Sequence, residues 1–216
     1  MVITYYGLSC FKIETNDLVI GLSPFAKNEK LGTPRAPRFK AQVVLISQPA
    51  SELYNYTGSI EGEQLTFDSP GEYEVGGVFI YGFSGQPKFA KAKTKQSTIF
   101  MIKSEGLTLA YLGGFSGSNI SEGVLESLGD VDLLILPIGG GEVCDSEQAV
   151  SLVSQIEPKI VIPMHYQLKG LKIKLGPLED FAKEINLKPE SLDRLSIKKI
   201  APAEELKFIS LEPQNF

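Results

Sequence analysis

One histidine, His165, is the whole imidazole complement of this 216-residue chain. A two-metal zinc site draws on several imidazoles, so that count alone argues against one. Cysteine is scarce too. Cys10 and Cys144 are too few for a disulfide scaffold and lie in different motifs, which reads as free thiols in a reducing cytosol. No stretch approaches the ~20 apolar residues of a membrane helix. The N-terminus, Met1-Val2-Ile3-Thr4-Tyr5-Tyr6, lacks the basic segment and apolar run of a signal peptide. The expectation is a cytoplasmic protein without membrane association. Positive charge is not in excess either. The net charge is −5 and the pI about 5.1, which gives no whole-molecule prior for nucleic acid or an anionic membrane.

What is present is material for a core: 43% hydrophobic and 22% charged residues, the balance of a soluble globular protein. Short β-branched and aromatic runs separated by turn residues predict a meander over Val2–Tyr6, Cys10–Glu14 and Leu18–Leu22. Residues 26–40 carry Gly32, Pro34 and Pro37 and read as a loop. Strands are predicted at Gln42–Ile46, Leu65–Phe67, Tyr73–Val75, Val78–Phe83, Ser97–Ile102 and Leu107–Leu112. Beyond residue 118 the period changes. Ile120, Val124, Leu125 and Leu128 share one helical face. Val131–Pro137 and Lys159–Pro163 are continuous apolar runs, as strands buried on both faces are. Asp145–Ile156 reads as a helix with Asp145 as N-cap and Gln148 completing a capping box, and Pro177 is placed to start another over Pro177–Ile185. Leu192–Ile197 and Leu206–Leu211 close the chain as strands. No linker or repeat interrupts the pattern, so a single domain over 1–216 is expected, two packed sheets with helices outside.

Five motifs in order carry a resemblance. They are Gly7-Leu8-Ser9-Cys10-Phe11, Leu22-Ser23-Pro24-Phe25, Ser69-Pro70-Gly71-Glu72-Tyr73-Glu74-Val75, Leu136-Pro137-Ile138-Gly139-Gly140 and Ile162-Pro163-Met164-His165-Tyr166. Together they resemble the metallo-β-lactamase superfamily, in its small bacterial Zn-dependent hydrolase-like branch. The resemblance implies an α/β fold, a four-layer αβ/βα sandwich of two mixed sheets with helices on the outer faces. It also implies a central His-x-His-x-Asp-His motif directly after Val43–Ile46. Here that segment reads Ser47-Gln48-Pro49-Ala50-Ser51-Glu52-Leu53. Gln48, Ala50 and Leu53 stand at the three histidine places and Glu52 at the aspartate place. Gly114 replaces the bridging aspartate, Leu8 the opening histidine, and Ser84 falls near the middle one. Only His165 survives as a ligand position. Ala50 and Leu53 cannot ligate, and a glutamine amide is a poor zinc ligand.

The expectation is therefore a fold retained without a competent two-metal centre. It would serve as a binding or interaction domain with no cofactor. The alternative is a hydrolase of the same family with a rebuilt or single-metal site that holds zinc, for which Glu52, Glu142, Cys144 and Asp145 are the candidate ligands. The residues are otherwise poor in catalytic signals. The turns at Gly113-Gly114-Phe115-Ser116-Gly117-Ser118 and Gly139-Gly140-Gly141 lack the Lys-Ser/Thr of a P-loop, and no serine sits in a Gly-x-Ser-x-Gly elbow. Charge offers one lead. Lys27, Lys30, Arg35, Arg38 and Lys40 crowd one loop, and Lys88, Lys91, Lys93 and Lys95 another. The resemblance implies that both loops border the mouth of the former metal site, a basic rim suited to an anionic small molecule. Homo-oligomerisation is a further possibility that the sequence leaves open.

Overall fold

The computed structural model describes residues 1–85, 97–200, 205–214 and 216. The chain runs through β1 (Val2–Gly7), β2 (Cys10–Glu14), β3 (Val19–Leu22), β4 (Phe39–Lys40), β5 (Val43–Leu45) and a 3-10 turn (Thr57–Ser59). It continues through β6 (Ile60–Glu61), β7 (Leu65–Phe67), β8 (Gly71–Val75), β9 (Val78–Ser84), β10 (Thr98–Ser104) and β11 (Leu107–Tyr111). Helices then alternate with strands: α1 (Glu122–Leu128), β12 (Leu133–Pro137), α2 (Ser146–Ile156), β13 (Ile160–Met164) and α3 (Leu178–Ile185), followed by β14 (Glu190–Leu192), β15 (Leu195–Ser196) and β16 (Lys207–Leu211).

The strands form two mixed sheets and a two-stranded one. The six-stranded sheet has the order β15-β1-β2-β3-β5-β7 and the eight-stranded sheet β14-β16-β13-β12-β11-β10-β9-β8. The predicted meander β1–β2–β3 is antiparallel, and β5 and β7 extend it in parallel. In the larger sheet β8 to β11 are antiparallel neighbours, whereas β11, β12, β13 and β16 are parallel. Parallel strands need a crossover that covers a face. Accordingly every residue of β12 and of β13 is buried.

Strand alternation distributes the apolar side chains. Val43 and Leu45 point between the two large sheets, with Ile3, Phe11 and Ile13 from one side and Ile80, Phe100, Ile102 and Leu109 from the other. Val44 and Ile46 turn the opposite way and join Phe25, Phe39, Ala41 and Ile60 in a second cluster. The outer layer of the six-stranded sheet is thus loop, 3-10 turn and the β4–β6 pair. The larger sheet carries the helices: α2 buries Ala149, Leu152, Val153 and Ile156, and Phe181 of α3 meets Phe208 of β16 edge-on at 5.3 Å.

The capping box is present. Asp145 Oδ1 accepts from the Gln148 N–H at 2.9 Å and Gln148 Oε1 from the Asp145 N–H at 3.2 Å. Asp145→Ala is expected to lower stability by about 1 kcal/mol, read as a shifted urea midpoint at unchanged slope.

Two predicted elements differ. The segment 192–197 is not one strand: β14 pairs with β16 in the larger sheet, and β15 pairs with β1 in the smaller. A bend at Asp193-Arg194 sends the chain across, and an apolar pattern this short carries no information on which sheet it joins. The loop 26–40 holds more structure than turn residues imply, with an Asn28–Thr33 bridge and strand β4.

Candidate functional site

Four of the motif segments, those that begin at Gly7, Leu22, Leu136 and Ile162, meet where the strands of both sheets end. The turn after β1 meets the end of β13, since the His165 N–H donates to Leu8 O at 2.8 Å. The end of β5 meets the turn after β11. Ser47 Oγ accepts from the Gly114 N–H at 3.2 Å, and Gln48 Nε2 donates to Gly114 O at 2.7 Å. Ser23, from the Leu22-Ser23-Pro24-Phe25 motif, bonds Ser47 through their hydroxyls at 3.0 Å. The fold thus sets Leu8 beside His165 and Gln48 beside Gly114.

What fills that site is a packed polar network. His165 is 4% exposed and sits at φ 53°, a left-handed backbone that a non-glycine residue adopts only when its surroundings hold it there. Its Nδ1 lies 2.9 Å from Ser9 Oγ and 3.4 Å from the Tyr54 hydroxyl, and the Tyr54 ring stacks on it at 5.7 Å and 4°. Tyr111 donates to Ser9 O at 2.8 Å and Tyr5 to Leu8 O at 3.0 Å. Burial holds the imidazole pKa down to about 4, against the weaker opposite pull of the Glu142 carboxylate. His165 is therefore neutral near pH 7. Sequence reasoning missed Ser9 and Tyr54 as partners of this histidine, and Tyr111 as the group that holds the Ser9 backbone. Ser9 lay inside a recognised motif, but nothing in the pattern said which way its hydroxyl points.

These side chains do not fit a two-metal centre at the motif positions. Gln48 is 3% exposed; its Nε2 donates to Gly114 O, while its Oε1 is buried without a hydrogen-bond partner among the described residues. A Cβ on Gly114 would lie 2.5 Å from Cδ of Gln48, so the space of a bridging carboxylate is already occupied. Leu8 is fully buried in the second apolar cluster and Leu53 packs against it. Ala50 and Glu52 are exposed, as is Ser84. The Nδ1 of His165 faces the hydroxyls of Ser9 and Tyr54.

The alternative ligands are not brought together. The Cys144 thiol is aimed at Phe115 O and Gly117 O, both at 3.2 Å, and burial pushes its pKa up to about 12. A thiol held that far from its thiolate is a poor ligand. Asp145 is committed to its helix cap. Among the described residues no group of three or more His, Cys, Asp or Glu side chains is placed to hold a metal ion. The basic loop is spread out. Arg35 and Arg38 line a small cavity of about 90 Å³ with Tyr6 and Gln214. Lys27 pairs with Glu29 at 3.2 Å, and Lys30 and Lys40 are exposed. Lys88, Lys91, Lys93 and Lys95 lie outside the described residues.

No helix among the described residues is long and apolar enough to cross a membrane. The sequence model of the Beta-lactamase superfamily domain matches residues 2–165. A UPF0173 protein of Pyrococcus abyssi is 24% identical over 207 residues, covering 86% of this chain and 90% of its own length. A UPF0173 metal-dependent hydrolase of Pelotomaculum thermopropionicum is 24% identical over 236 residues, covering 96% of this chain and all of its own length. Among solved structures, a candidate Zn-dependent hydrolase of the metallo-β-lactamase superfamily from Thermotoga maritima superposes with a TM-score of 0.79 at 27% identity, covering 97% of each chain. These relatives correct the expectation of no cofactor. The Pelotomaculum and Thermotoga proteins are named as metal-dependent and Zn-dependent hydrolases, which implies a metal cofactor for the family. With its α/β fold of two mixed sheets and a match over more than half of its length, this chain belongs to the β-lactamase superfamily domain family and has the metallo-β-lactamase fold.

Proposed function

We propose that this chain uses the fold as a binding or interaction domain, acting as a single unit over 1–216, rather than as a two-metal hydrolase. One observation carries the reading: the Gln48 amide fills the space beside Gly114 and is hydrogen-bonded there. A reaction centre that generates hydroxide needs an open position next to an orienting carboxylate, and a packed amide offers neither. The ligand class that suits the exposed surface is an anionic small molecule, met first by Arg35 and Arg38. Two buried unpaired cysteines fit a reducing, cytoplasmic compartment.

The names of the relatives favour a second reading, a metal-dependent hydrolase with a rebuilt or single-metal site. One experiment separates the two. Protein purified without chelator is dialysed against Zn²⁺ and Mn²⁺, then assayed for metal by mass spectrometry and for hydrolysis of a generic phosphoester and a lactone. The binding-domain reading expects no turnover above the metal-only blank under any loading. Tightly held metal together with turnover would establish the second reading and overturn the first.

A further inference from the structure

The outer face of the larger sheet carries an aromatic stripe along β9. Val78 and Ile80 of β9 point into the core, so Phe79, Tyr81 and Phe83 point out. Phe79 is 45% exposed, and Tyr81 and Phe83 are half-buried. Among the described residues the other exposed large hydrophobics are Tyr56 and Leu65. Tyr81 and Phe83 pack partly against the core, which leaves Phe79 as the apolar residue this face presents to water, and such a residue is what association covers.

Charge on this face selects the partner. Phe79 is opposite Glu74 of β8 on one side and Lys103 of β10 on the other. That row therefore reads acid, aromatic, base. The two charges are separated by about 10 Å, two strand spacings, and neither is in an ion pair among the described residues. Lys103 Nζ leans over the Tyr81 ring at 5.9 Å, which confirms that it belongs to the outward face.

We infer that this face binds a second copy of the chain. A twofold axis lying along β9 between two facing sheets sets Phe79 on Phe79 and Tyr81 on Tyr81. The same rotation swaps left for right, so Glu74 of each copy falls opposite Lys103 of the other. The row is complementary to itself under that one operation, as an isologous interface requires. Pairing along the edge strand β8 is disfavoured: an antiparallel copy centred on Tyr73 would set Glu72 against Glu74, like charges directly opposite. The inference is independent of how the strand-end site functions.

Sedimentation equilibrium at low salt, from micromolar to sub-millimolar protein, tests it. The wild-type mass is expected to rise with concentration toward twice the chain mass and to fall back on adding salt. Glu74→Lys and Lys103→Glu are each expected to weaken association by at least ~10-fold. An equimolar mixture of the two variants is expected to regain it, because the lysine introduced in one then meets the glutamate introduced in the other. Phe79→Ser is expected to abolish it without a charge change. All three positions are exposed, and circular dichroism of each variant checks that the fold is kept. A wild-type chain that stays monomeric throughout, charge reversals that leave association unchanged, or a mixture that fails to regain it would overturn the inference.

Discussion

Gly114→Asp is expected to lower stability by ~3–5 kcal/mol and the melting temperature by about 10 °C, although it restores the residue that the family motif carries. Two effects add. The new Cβ would sit 2.5 Å from Cδ of Gln48, and Gln48 has little room to withdraw, since it is almost fully buried. Overpacking of that kind costs about 1–3 kcal/mol. The carboxylate would also be buried beside the Ser47 hydroxyl and the Gln48 amide, with no cation among those neighbours. Backbone strain is not the cause, because Gly114, unlike Gly113 at φ 55°, is outside the left-handed region. Adding Gln48→Ala to Gly114→Asp should remove the overlap and return part of the loss. The two changes should then depart from additivity by more than about 0.5 kcal/mol, as coupled neighbours do. Thermal and urea unfolding of the two single variants and the double variant measure this. A Gly114→Asp melt within ~1 °C of wild type would mean that the amide plug is loose and that the site is more open than its geometry indicates.

Acid is the second lever. A histidine in the unfolded chain takes up its proton near pH 6.5, whereas His165 in the fold holds out to about pH 4. Between those values the unfolded state binds more protons, so stability falls as the pH falls. The contribution of this one residue is complete above pH 6.5 and is lost by about pH 4, a change of roughly 3 kcal/mol. Carboxylates titrate in part of the same window, so the wild-type curve alone does not isolate it. His165→Asn does. Asparagine accepts the left-handed backbone found at this position and has no proton to gain. The wild-type stability minus that of His165→Asn should be level above pH 6.5 and drop by roughly 3 kcal/mol toward pH 4. Parallel curves would show that the imidazole is already solvated in the fold.

Much of the fold was legible without coordinates because the signals are local. The β-branched and aromatic runs of β1, β2 and β3, the fully apolar β12 and β13, and the Asp145–Gln148 capping box each depend on residues near one another in the chain. It was also legible that Ala50 and Leu53 are not ligands, since side-chain chemistry alone excludes them. Tertiary structure decided the rest. Gln48 and Gly114 are 66 residues apart, and only the packed strand ends reveal that the amide of one fills the space beside the other. Tyr54 stacks on His165 across 111 residues, so the burial that depresses the imidazole pKa has no sequence signature. The same holds for Asp193-Arg194, where a two-residue bend hands the chain from one sheet to the other. Sequence determines which side chains are available and the period on which they repeat. Whether a given glutamine is a ligand, a surface amide or a plug depends on what the other strands place against it.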